Sequence, residues 1–417
     1  MVHIKIRYKI KYKIIFLIFI FLTVTSKTIF AQTTYNPYSM QGLGEIEMGE
    51  YGRNAGMAGV SIGMRAPGFL NNSNPASLTT LDSTSFVYDF SSALKYSNFL
   101  SVNQSENTFN FNFKKLAMGF RVSRHWAMSL GLSPYTSVGY KINSTQFIEG
   151  SMGSTVNVNY DGNGGINKFY FSNAFQLTKK ISVGINSSLL FGSINNNVAV
   201  DNSVYSTTNT STMQKLYFDF GIQYYDNFAD LAHYTIGVVY GYKAPVNLSN
   251  YIVLREDTST LNTFNQNELQ YLPMFYGIGL SVCLKNKVTI AADYQFQQWA
   301  SVISSYSNVV FANMNKFKFG FELVPDDKSY KSYFQHIHYQ CGFSIYNSYL
   351  DISGYKPINY TLSLGLGFPM RKNGLMNVAV NFGKFGSTNN QQFRENFTQV
   401  IFNFSLGDLW FIKRKYD

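Results

Sequence analysis

Apolar side chains recur at every second position from residue 84 onward, and the pattern repeats fourteen times. A period of two is typical of a β-strand with lipid on one face and a more polar environment on the other. The intervening positions are mostly small, polar or singly charged, as in a hydrated or plugged lumen. The sequence therefore predicts an all-β fold, a transmembrane antiparallel β-barrel of about 14 strands. The apolar sets are Phe86–Phe90, Leu116–Val122, Trp126–Leu132, Phe169–Leu177, Ile181–Phe191, Leu216–Tyr224, Tyr234–Tyr242, Met274–Leu284, Val288–Phe296, Phe317–Leu323, Ile337–Ile345, Ile358–Phe368, Met376–Phe382 and Val400–Leu406.

The connections between these strands alternate in length, from short links such as Ser123–His125 to long ones such as Ser133–Lys168 and Lys243–Pro273. Short periplasmic turns alternate with longer extracellular loops in outer-membrane barrels, whereas a soluble β-sandwich has no reason to keep this order. The alternation therefore favours a barrel with both termini in the periplasm. Weaker alternation inside the long loops predicts strands that extend beyond the bilayer, at Phe109–Phe113, Val138–Ile142, Val156–Tyr160 and Val198–Val204.

The beginning of the chain is typical of an export signal. A basic region from Lys5 to Lys13 precedes the apolar stretch Ile14–Val24, and Ala31 offers a small residue for cleavage. An uncleaved anchor is the alternative, but eleven apolar residues are short for a membrane span. We therefore expect residues 1–31 to be a signal peptide, residues 32–83 an N-terminal hatch or plug, and residues 84–417 an outer-membrane β-barrel with a short periplasmic tail.

Composition and charge support a membrane barrel. Charged residues make up 14% of the chain, against about 25% in ordinary soluble domains, and aromatic residues reach 17%. Residues 1–31 contain six of the 34 basic groups and no acidic group, so the remaining chain has 28 basic against 23 acidic residues. A nucleic-acid-binding face is not expected, because Lys413–Lys415 is the one basic cluster that remains. Cys283 and Cys341 fall on opposite faces of their strands, which predicts no disulfide between them.

The residues with candidate chemistry point to no enzyme. His336 and His338 are two apart on a predicted strand and would share the lumen face, but no third ligand is near, so no metal or other cofactor is expected. Residues Gly162–Gly165 lack the lysine of a phosphate-binding loop and are interpreted as a loop-to-strand turn. His125 and His233 lie in predicted short links, unsuited to a hydrolase site, so no catalytic residue is assigned. Three tryptophans are expected in the interfacial aromatic girdles, namely Trp126, Trp299 and Trp410.

Residues 32–83 are rich in glycine and asparagine and have no sustained period. A plug inside the barrel is favoured over a periplasmic tail, because fourteen strands enclose more space than side chains fill. Glycines at 52, 56 and 59 allow tight turns and close packing, Pro75 fixes a turn, and Asn74 can bond nearby backbone. The predicted hatch motif consists of Gly52, Gly56, Gly59, Asn74, Pro75 and Ala76.

The segment Gly52–Gly59, with Asn74–Ala76 and Leu78 just before the first strand, resembles the hatch of the FadL/TodX family, outer-membrane transporters of long-chain fatty acids and aromatic hydrocarbons. Further pieces are similar to a FadL-like branch of that family: Pro134, Gly139–Tyr140, Gly162–Gly165 and Trp410–Lys415. The resemblance implies a plugged fourteen-stranded barrel. It also implies that extracellular loops catch a hydrophobic ligand, which passes to a pocket near the hatch and leaves sideways through a gap in the wall.

The leading functional hypothesis is passive uptake of a fatty-acid-like or aromatic small molecule through the outer membrane of a Gram-negative bacterium. The expected partners are outer-membrane lipid and this ligand, with a periplasmic or secretion-machinery protein as a further candidate. No position matches the family's ligand-contacting residues, so none is assigned to substrate binding. Two alternatives stay open: a structural or partner-binding barrel associated with secretion or envelope assembly, and a general hydrophilic porin.

Overall fold

The computed structural model describes residues 36–409 apart from 48, 84, 103, 149, 151–152, 202, 229–230, 303–308, 327–331, 353, 371–373 and 389–391. The expected signal peptide (residues 1–31), Trp410 and Lys413–Lys415 lie outside the described residues. No helix in the described part of the chain has the length and apolar character needed to cross a membrane.

The described residues form nineteen strands and five short 3₁₀ helices. The strands are β1 (Glu45–Ile46), β2 (Ser85–Leu100), β3 (Ser105–Arg121), β4 (Trp126–Phe147), β5 (Thr155–Gln176), β6 (Ile181–Val200), β7 (Tyr205–Phe228), β8 (Ala232–Gly241), β9 (Ala244–Glu256), β10 (Ser259–Leu272), β11 (Phe275–Leu284), β12 (Val288–Gln297), β13 (Val309–Phe311), β14 (Met314–Leu323), β15 (His338–Asn347), β16 (Leu350–Ile352), β17 (Ile358–Met370), β18 (Gly374–Gly386) and β19 (Arg394–Leu409). The 3₁₀ helices are Pro37–Met40, Ala55–Met57, Pro75–Thr80, Trp299–Ser301 and Tyr333–Gln335.

Fourteen strands close into one antiparallel ring. The order is β2-β3-β4-β5-β6-β7-β8-β11-β12-β14-β15-β17-β18-β19, and β19 returns to β2 over sixteen residue pairs that end at Leu409 and Ser85. Each of the fourteen predicted apolar sets corresponds to one strand of this ring, and five of the sets extend one residue beyond an end of the strand. The prediction of a closed fourteen-stranded barrel is therefore confirmed. Every strand of the ring is therefore paired with two neighbouring strands.

The two faces of the wall follow the predicted alternation. On β11, Tyr276, Ile278 and Leu280 are 43%, 51% and 47% exposed on the outer face. Gly277, Gly279 and Ser281, which alternate with these residues, are buried on the inner face. The outer surface is thus an apolar belt suited to contact with hydrocarbon. Cys341 lies on this outer face, whereas Cys283 is in register with the inward-facing residues of β11. The two cysteines thus lie on opposite faces, as predicted, and both thiols are free.

Several strands continue beyond the ring, as predicted for the long loops, but the predicted strand Val198–Val204 instead spans the end of β6 and the connection to β7. The C-terminal part of β7, from Asp219 to Phe228, pairs with β8. Its N-terminal part, from Tyr205 to Met213, pairs with β9. β9 in turn pairs along its length with β10. This hairpin lies within the predicted long connection Lys243–Pro273, which joins the wall strands β8 and β11, but its two strands were not predicted. Apolar residues alternate in β9 only over the buried positions Ala244, Val246 and Leu248, and most other residues of the hairpin are polar.

Two other predictions are corrected by the fold. Gly162–Gly165 is not a loop-to-strand turn but lies within β5, where Gly164 and Gly165 have φ of +115° and +145°. A Cβ on Gly164 would lie 2.2 Å from the Ser193 carbonyl oxygen, so the close approach of β6 requires glycine there. Trp299 does not belong to an aromatic girdle, because it is 1% exposed within an internal apolar cluster.

Candidate functional site

Residues 36–83, which we call the N-terminal segment, contact strands on all sides of the ring. Gly56 packs against Gly365 of β17, where an added Cβ would lie 2.6 Å from the Gly365 Cα. Gly63 packs against Gly279 of β11, with 2.7 Å between such a Cβ and the Gly279 carbonyl carbon. Other contacts reach β3, β6, β7, β8, β14 and β15. These contacts are made with the buried inner face of the wall.

The glycines and alanine of the predicted motif lie in tightly packed turns. Gly52 and Gly59 have φ of +87° and +68°, a left-handed conformation that favours glycine. An added Cβ on Gly59 would also lie 2.7 Å from the Glu50 Cα. Ala76 has no exposed surface. These positions shape the turns of the segment and contribute no reactive group.

Asn74 and Pro75 begin the 3₁₀ helix Pro75–Thr80, with Asn74 as its N-cap. The Asn74 Oδ1 accepts from the Ala76 N–H at 3.2 Å, and its Nδ2 donates to the Ile62 carbonyl at 2.9 Å. The same Ile62 carbonyl accepts from the Gln223 Nε2 of β7 at 3.0 Å. Asn74 therefore caps one turn while joining it to a second turn and to the wall.

The turn at Ser61 and Ile62 is also held by a buried carboxylate. Asp293 of β12, which is 5% exposed, accepts from the Ser61 N–H at 2.7 Å and from the Ile62 N–H at 3.0 Å. Charge-assisted bonds of this kind are stronger than neutral ones. The Ile62 N–H is thus bonded to Asp293 of β12, and the Ile62 carbonyl is bonded to Gln223 of β7. These bonds fix the turn against β7 and β12.

Ion pairs attach the first part of the segment to the wall at four places. The pairs are Glu45–Lys95 at 3.8 Å, Glu47–Lys114 at 2.6 Å, Glu50–Lys316 at 2.8 Å and Arg53–Glu322 at 3.7 Å. None of these four ion pairs was predicted from the sequence. The detectable signal was a cluster of three glutamates between residues 45 and 50, ahead of strands whose lumen positions hold single lysines.

A β-bulge directs two consecutive lysines of β3 into the lumen. Ser91 of β2 pairs with Lys115 and the next residue, Ser92, pairs with Phe113, so Lys114 is the extra residue. Both lysines are buried, at 7% and 1% exposure. Strict alternation would send one of them into lipid, whereas a bulge locally re-aims the side chain. Lys114 can therefore reach Glu47 of the N-terminal segment.

The wall has a seam directly beyond this bulge. Among the described residues, β3 and β4 pair from Leu116 to Arg121 and from Ala127 to Leu132, and both strands continue past that point. The freed edge of β4 pairs instead with β1, with Ile46 opposite Thr136. The Glu47 N–H donates to the Tyr135 carbonyl at 3.0 Å, and Lys114 holds Glu47 from the β3 side. The N-terminal segment therefore closes the seam where two neighbouring wall strands part.

A cavity of about 150 Å³ lies beside this closure and has two kinds of lining. Ile46 and Glu47 of the closing segment both border it. Its apolar lining includes Tyr135, Leu190, Val239, Tyr217 and Phe275, and its charged lining includes Lys168, Asp219, Asp293, Lys316 and Lys318. The cavity is thus amphipathic. Its residues come from many strands, so no local motif could reveal it.

An apolar cluster continues from the cavity away from these charges. Ile46, Leu190 and Tyr217 belong to it, together with Tyr38 of the N-terminal segment and Trp299. The Trp299 ring lies 4.5 Å from that of Tyr349, measured between centroids. This cluster joins the long connections and the N-terminal segment into one packed body across the lumen.

The two histidines do not form a pair on one strand face. His336 follows the 3₁₀ helix Tyr333–Gln335, while His338 begins β15 with its Nδ1 3.2 Å from the Glu322 Oε2. The prediction that they share a lumen face was wrong, because β15 begins at His338 and His336 lies before the strand. Within the described residues, no group of three His, Cys, Asp or Glu side chains could hold a metal ion.

Acid is expected to loosen the N-terminal segment. Burial raises the pKa of Glu50, but Lys316 and Lys318 outweigh that effect and hold its pKa below the ordinary value of 4.5. A lowered pKa means that the ionised form stabilises the folded state above pH 4.5 and that this stabilisation is lost as the pH falls through the lowered pKa. Protease cleavage of the segment in detergent should therefore increase below about pH 4.

Glu50→Gln is expected to weaken this pH dependence, since the amide does not titrate. Glu256→Gln is the matched control, because Glu256 lies at the end of β9 and bonds Tyr205 rather than the segment. Equal pH profiles for both variants would contradict the assigned role of Glu50.

The ring defines a class of fold, the closed fourteen-stranded antiparallel β-barrels. The chain belongs to the BamG family, whose model matches residues 10–417. No curated protein matches the chain.

Solved structures show the same fold at low identity. The Pseudomonas putida toluene transporter TodX has a TM-score of 0.57 and 14% identity, covering 88% of this chain and 99% of that one. The Ralstonia pickettii toluene transporter TbuX has a TM-score of 0.54 and 14% identity, covering 86% and 98%. A Pseudomonas aeruginosa FadL homologue has a TM-score of 0.55 and 11% identity, covering 89% and 99%. The resemblance to the FadL/TodX family is thus confirmed for the fold, while the family shown is BamG.

Proposed function

We propose that this protein takes up fatty-acid-like or aromatic small molecules passively across the outer membrane and releases them sideways between β3 and β4. The observation that carries the proposal is the seam, where the edge of β4 is covered by β1 and not by the neighbouring wall strand. Two residues of pairing close it. Breaking that contact leaves the fourteen-strand ring intact, so a lateral exit can open at small structural cost.

The cavity supports the same route. Ile46 and Glu47 contribute both to its lining and to the closure of the seam, so movement of β1 would join the cavity to the seam. The apolar lining suits a hydrocarbon or aromatic body, and the lysines suit an acidic head group, which would compete with the carboxylates that now pair with them. An apolar ligand moves down its transfer gradient into the bilayer, so the step requires no energy source.

In this proposal the N-terminal segment is the hatch. Gly52, Gly56, Gly59, Asn74, Pro75 and Ala76 maintain its packed turns, and the glutamates at 45, 47 and 50 attach it near the seam. The part that would move is Glu45–Glu47, whereas the turns around Ile62 and Asn74 would stay bonded to β7 and β12.

A disulfide across the seam tests the route. Ile46→Cys and Thr136→Cys occupy directly paired positions, and antiparallel partners lie about 4.5–5.5 Å apart between Cα atoms, within reach of a disulfide. In a Cys283→Ser, Cys341→Ser background, the oxidised pair is expected to lower cellular uptake of labelled oleate and toluene at least tenfold, and reduction should restore it. Ile46→Cys alone is the control. Uptake at the unlocked rate by the oxidised protein would refute a lateral exit at this seam.

A second candidate function is a structural or partner-binding barrel associated with secretion or envelope assembly. The observation that favours it is the extent of attachment: four ion pairs and close backbone packing hold the segment on all sides of the lumen. A barrel with such a fixed interior can serve as a rigid body without moving any ligand. If the oxidised Ile46→Cys, Thr136→Cys variant fully complements a deletion strain, the protein acts without opening the seam. This second function then replaces the first.

A further inference from the structure

A second pocket lies beyond the end of β8, between the inner face of the β6-β7-β9-β10 sheet and the internal apolar cluster. Its volume is about 170 Å³. We call it the sheet pocket. Six polar residues from these four strands line it: Asn196, Asn209, Ser211, Asn250, Glu268 and Gln270. The pocket is separate from the cavity beside the seam, and the proposed uptake route does not use it.

The polar residues form an ordered array because the strands are in register. Asn196 of β6 pairs with Asn209 of β7, and Ser211 of β7 pairs with Asn250 of β9. Neighbouring strands lie about 4.8 Å apart, so hydroxyl and amide groups are presented at regular spacing on one face. The opposite side of the pocket is aromatic, with Trp299, Tyr271 and Phe311.

Two amide oxygens in this array have unused bonding capacity. Asn250 is 8% exposed and its Nδ2 donates to Glu268 at 3.3 Å, but its Oδ1 has no donor among the described residues. The Asn209 Oδ1 is likewise buried without a donor. An unsatisfied buried acceptor costs about 1–3 kcal/mol, so two of them in one pocket point to a ligand that supplies hydrogen-bond donors.

The aromatic side adds a second requirement. The Trp299 Nε1 donates to Gln297 at 2.8 Å, so the polar edge of the indole is already satisfied and the ring contributes apolar surface to the lining. Tyr271 is half-buried at the same pocket. A ligand that fits must therefore combine an apolar face with several hydroxyl donors. Glu268 is the charged residue of the lining, which disfavours anionic ligands.

We propose that the sheet pocket binds one saccharide unit. A pyranose has this combination, since its axial C–H groups form an apolar face and its equatorial hydroxyls both donate and accept. The pocket, with a volume of about 170 Å³, has room for a sugar ring. The same sugar chemistry occurs in free saccharides and in the lipopolysaccharide core, and the test distinguishes these two sources.

The full-length protein in a detergent without a sugar head group is tested by saturation-transfer difference NMR. The probes are glucose, galactose, mannose and N-acetylglucosamine, and separately the core oligosaccharide released from lipopolysaccharide. We expect saturation transfer to at least one probe, with an affinity reduced at least tenfold in Asn250→Leu. Asn267→Leu is the matched control, because Asn267 lies on β10 next to Glu268 and bonds Ser249 on the exposed side. Binding of the core oligosaccharide alone identifies lipopolysaccharide as the source of the sugar. Binding of a free monosaccharide identifies free saccharides as the source.

Heat-modifiable migration on gels verifies that each variant is folded. If Asn250→Leu does not fold, Asn209→Ala makes the same test at a half-buried position. No transfer to any probe in the unmodified protein would overturn the proposal. Equal affinities in the pocket variant and in Asn267→Leu would also overturn it, because the bound sugar would then lie elsewhere.

Discussion

Replacing Lys115 with methionine is expected to lower the free energy of unfolding by about 3–5 kcal/mol. The Lys115 Nζ lies 2.6 Å from the Asp89 Oδ2, and these side chains are 2% and 0% exposed. The same ammonium donates to the Leu70 carbonyl of the N-terminal segment. Methionine would leave the Asp89 carboxylate buried without its partner and would release one attachment of the segment. Urea unfolding in phospholipid vesicles, followed by tryptophan fluorescence, measures the loss.

Two variants control for this result. Lys115→Met with Asp89→Leu removes both charges and is expected to recover most of the stability, because an apolar replacement of a buried pair is often neutral. Lys180→Met breaks an ion pair with Asp226 near an exposed turn and is expected to leave the unfolding midpoint unchanged. Equal losses in Lys115→Met and Lys180→Met would contradict the buried role of Lys115.

Replacing Gly237 with valine is expected to displace the N-terminal segment and open the lumen to ions. An added Cβ at Gly237 would lie 2.0 Å from the Ile62 carbonyl oxygen. That carbonyl accepts from both Asn74 and Gln223, so its displacement breaks the hydrogen bonds that fix the turn. Overpacking of this kind typically costs about 1–3 kcal/mol. Planar-bilayer conductance and protease cleavage within residues 36–83 are the measurements, and both should rise well above the unmodified protein.

The control is the next residue on the same strand. Val238 is 45% exposed on the lipid-facing side, so Val238→Ala changes β8 without touching the segment. This variant should keep the low conductance and the protease protection of the unmodified protein. A Gly237→Val protein that is equally closed would show that the segment does not depend on this contact.

The wall of the barrel could be predicted from the sequence because its environment imposes one rule on every strand. Lipid on one side and a polar interior on the other force apolar residues to every second position, whatever their partners. The sets Phe86–Phe90 and Val400–Leu406 could thus be assigned without knowing that β2 and β19 pair and close the ring. The same rule placed Cys283 and Cys341 on opposite faces.

Predictions failed where that rule does not operate. The β9-β10 hairpin was not predicted, because its apolar alternation is limited to Ala244, Val246 and Leu248 and most of its other residues are polar. Trp299 was assigned to an interface by residue type, yet long connections fold inward and bury it beside Tyr349. Gly164 looked like part of a turn, because the sequence does not show that β6 approaches too closely for a side chain.

What the sequence by itself determined is the class of fold, the strand count and the two faces of the wall, since each follows from local periodicity. Tertiary structure alone decided which acids meet which lysines, where β3 and β4 part, and which pockets remain. The physical reason is that these features depend on register. One extra residue in β3 turns both Lys114 and Lys115 inward, and the N-terminal segment finds its partners only after the ring has brought distant strands together.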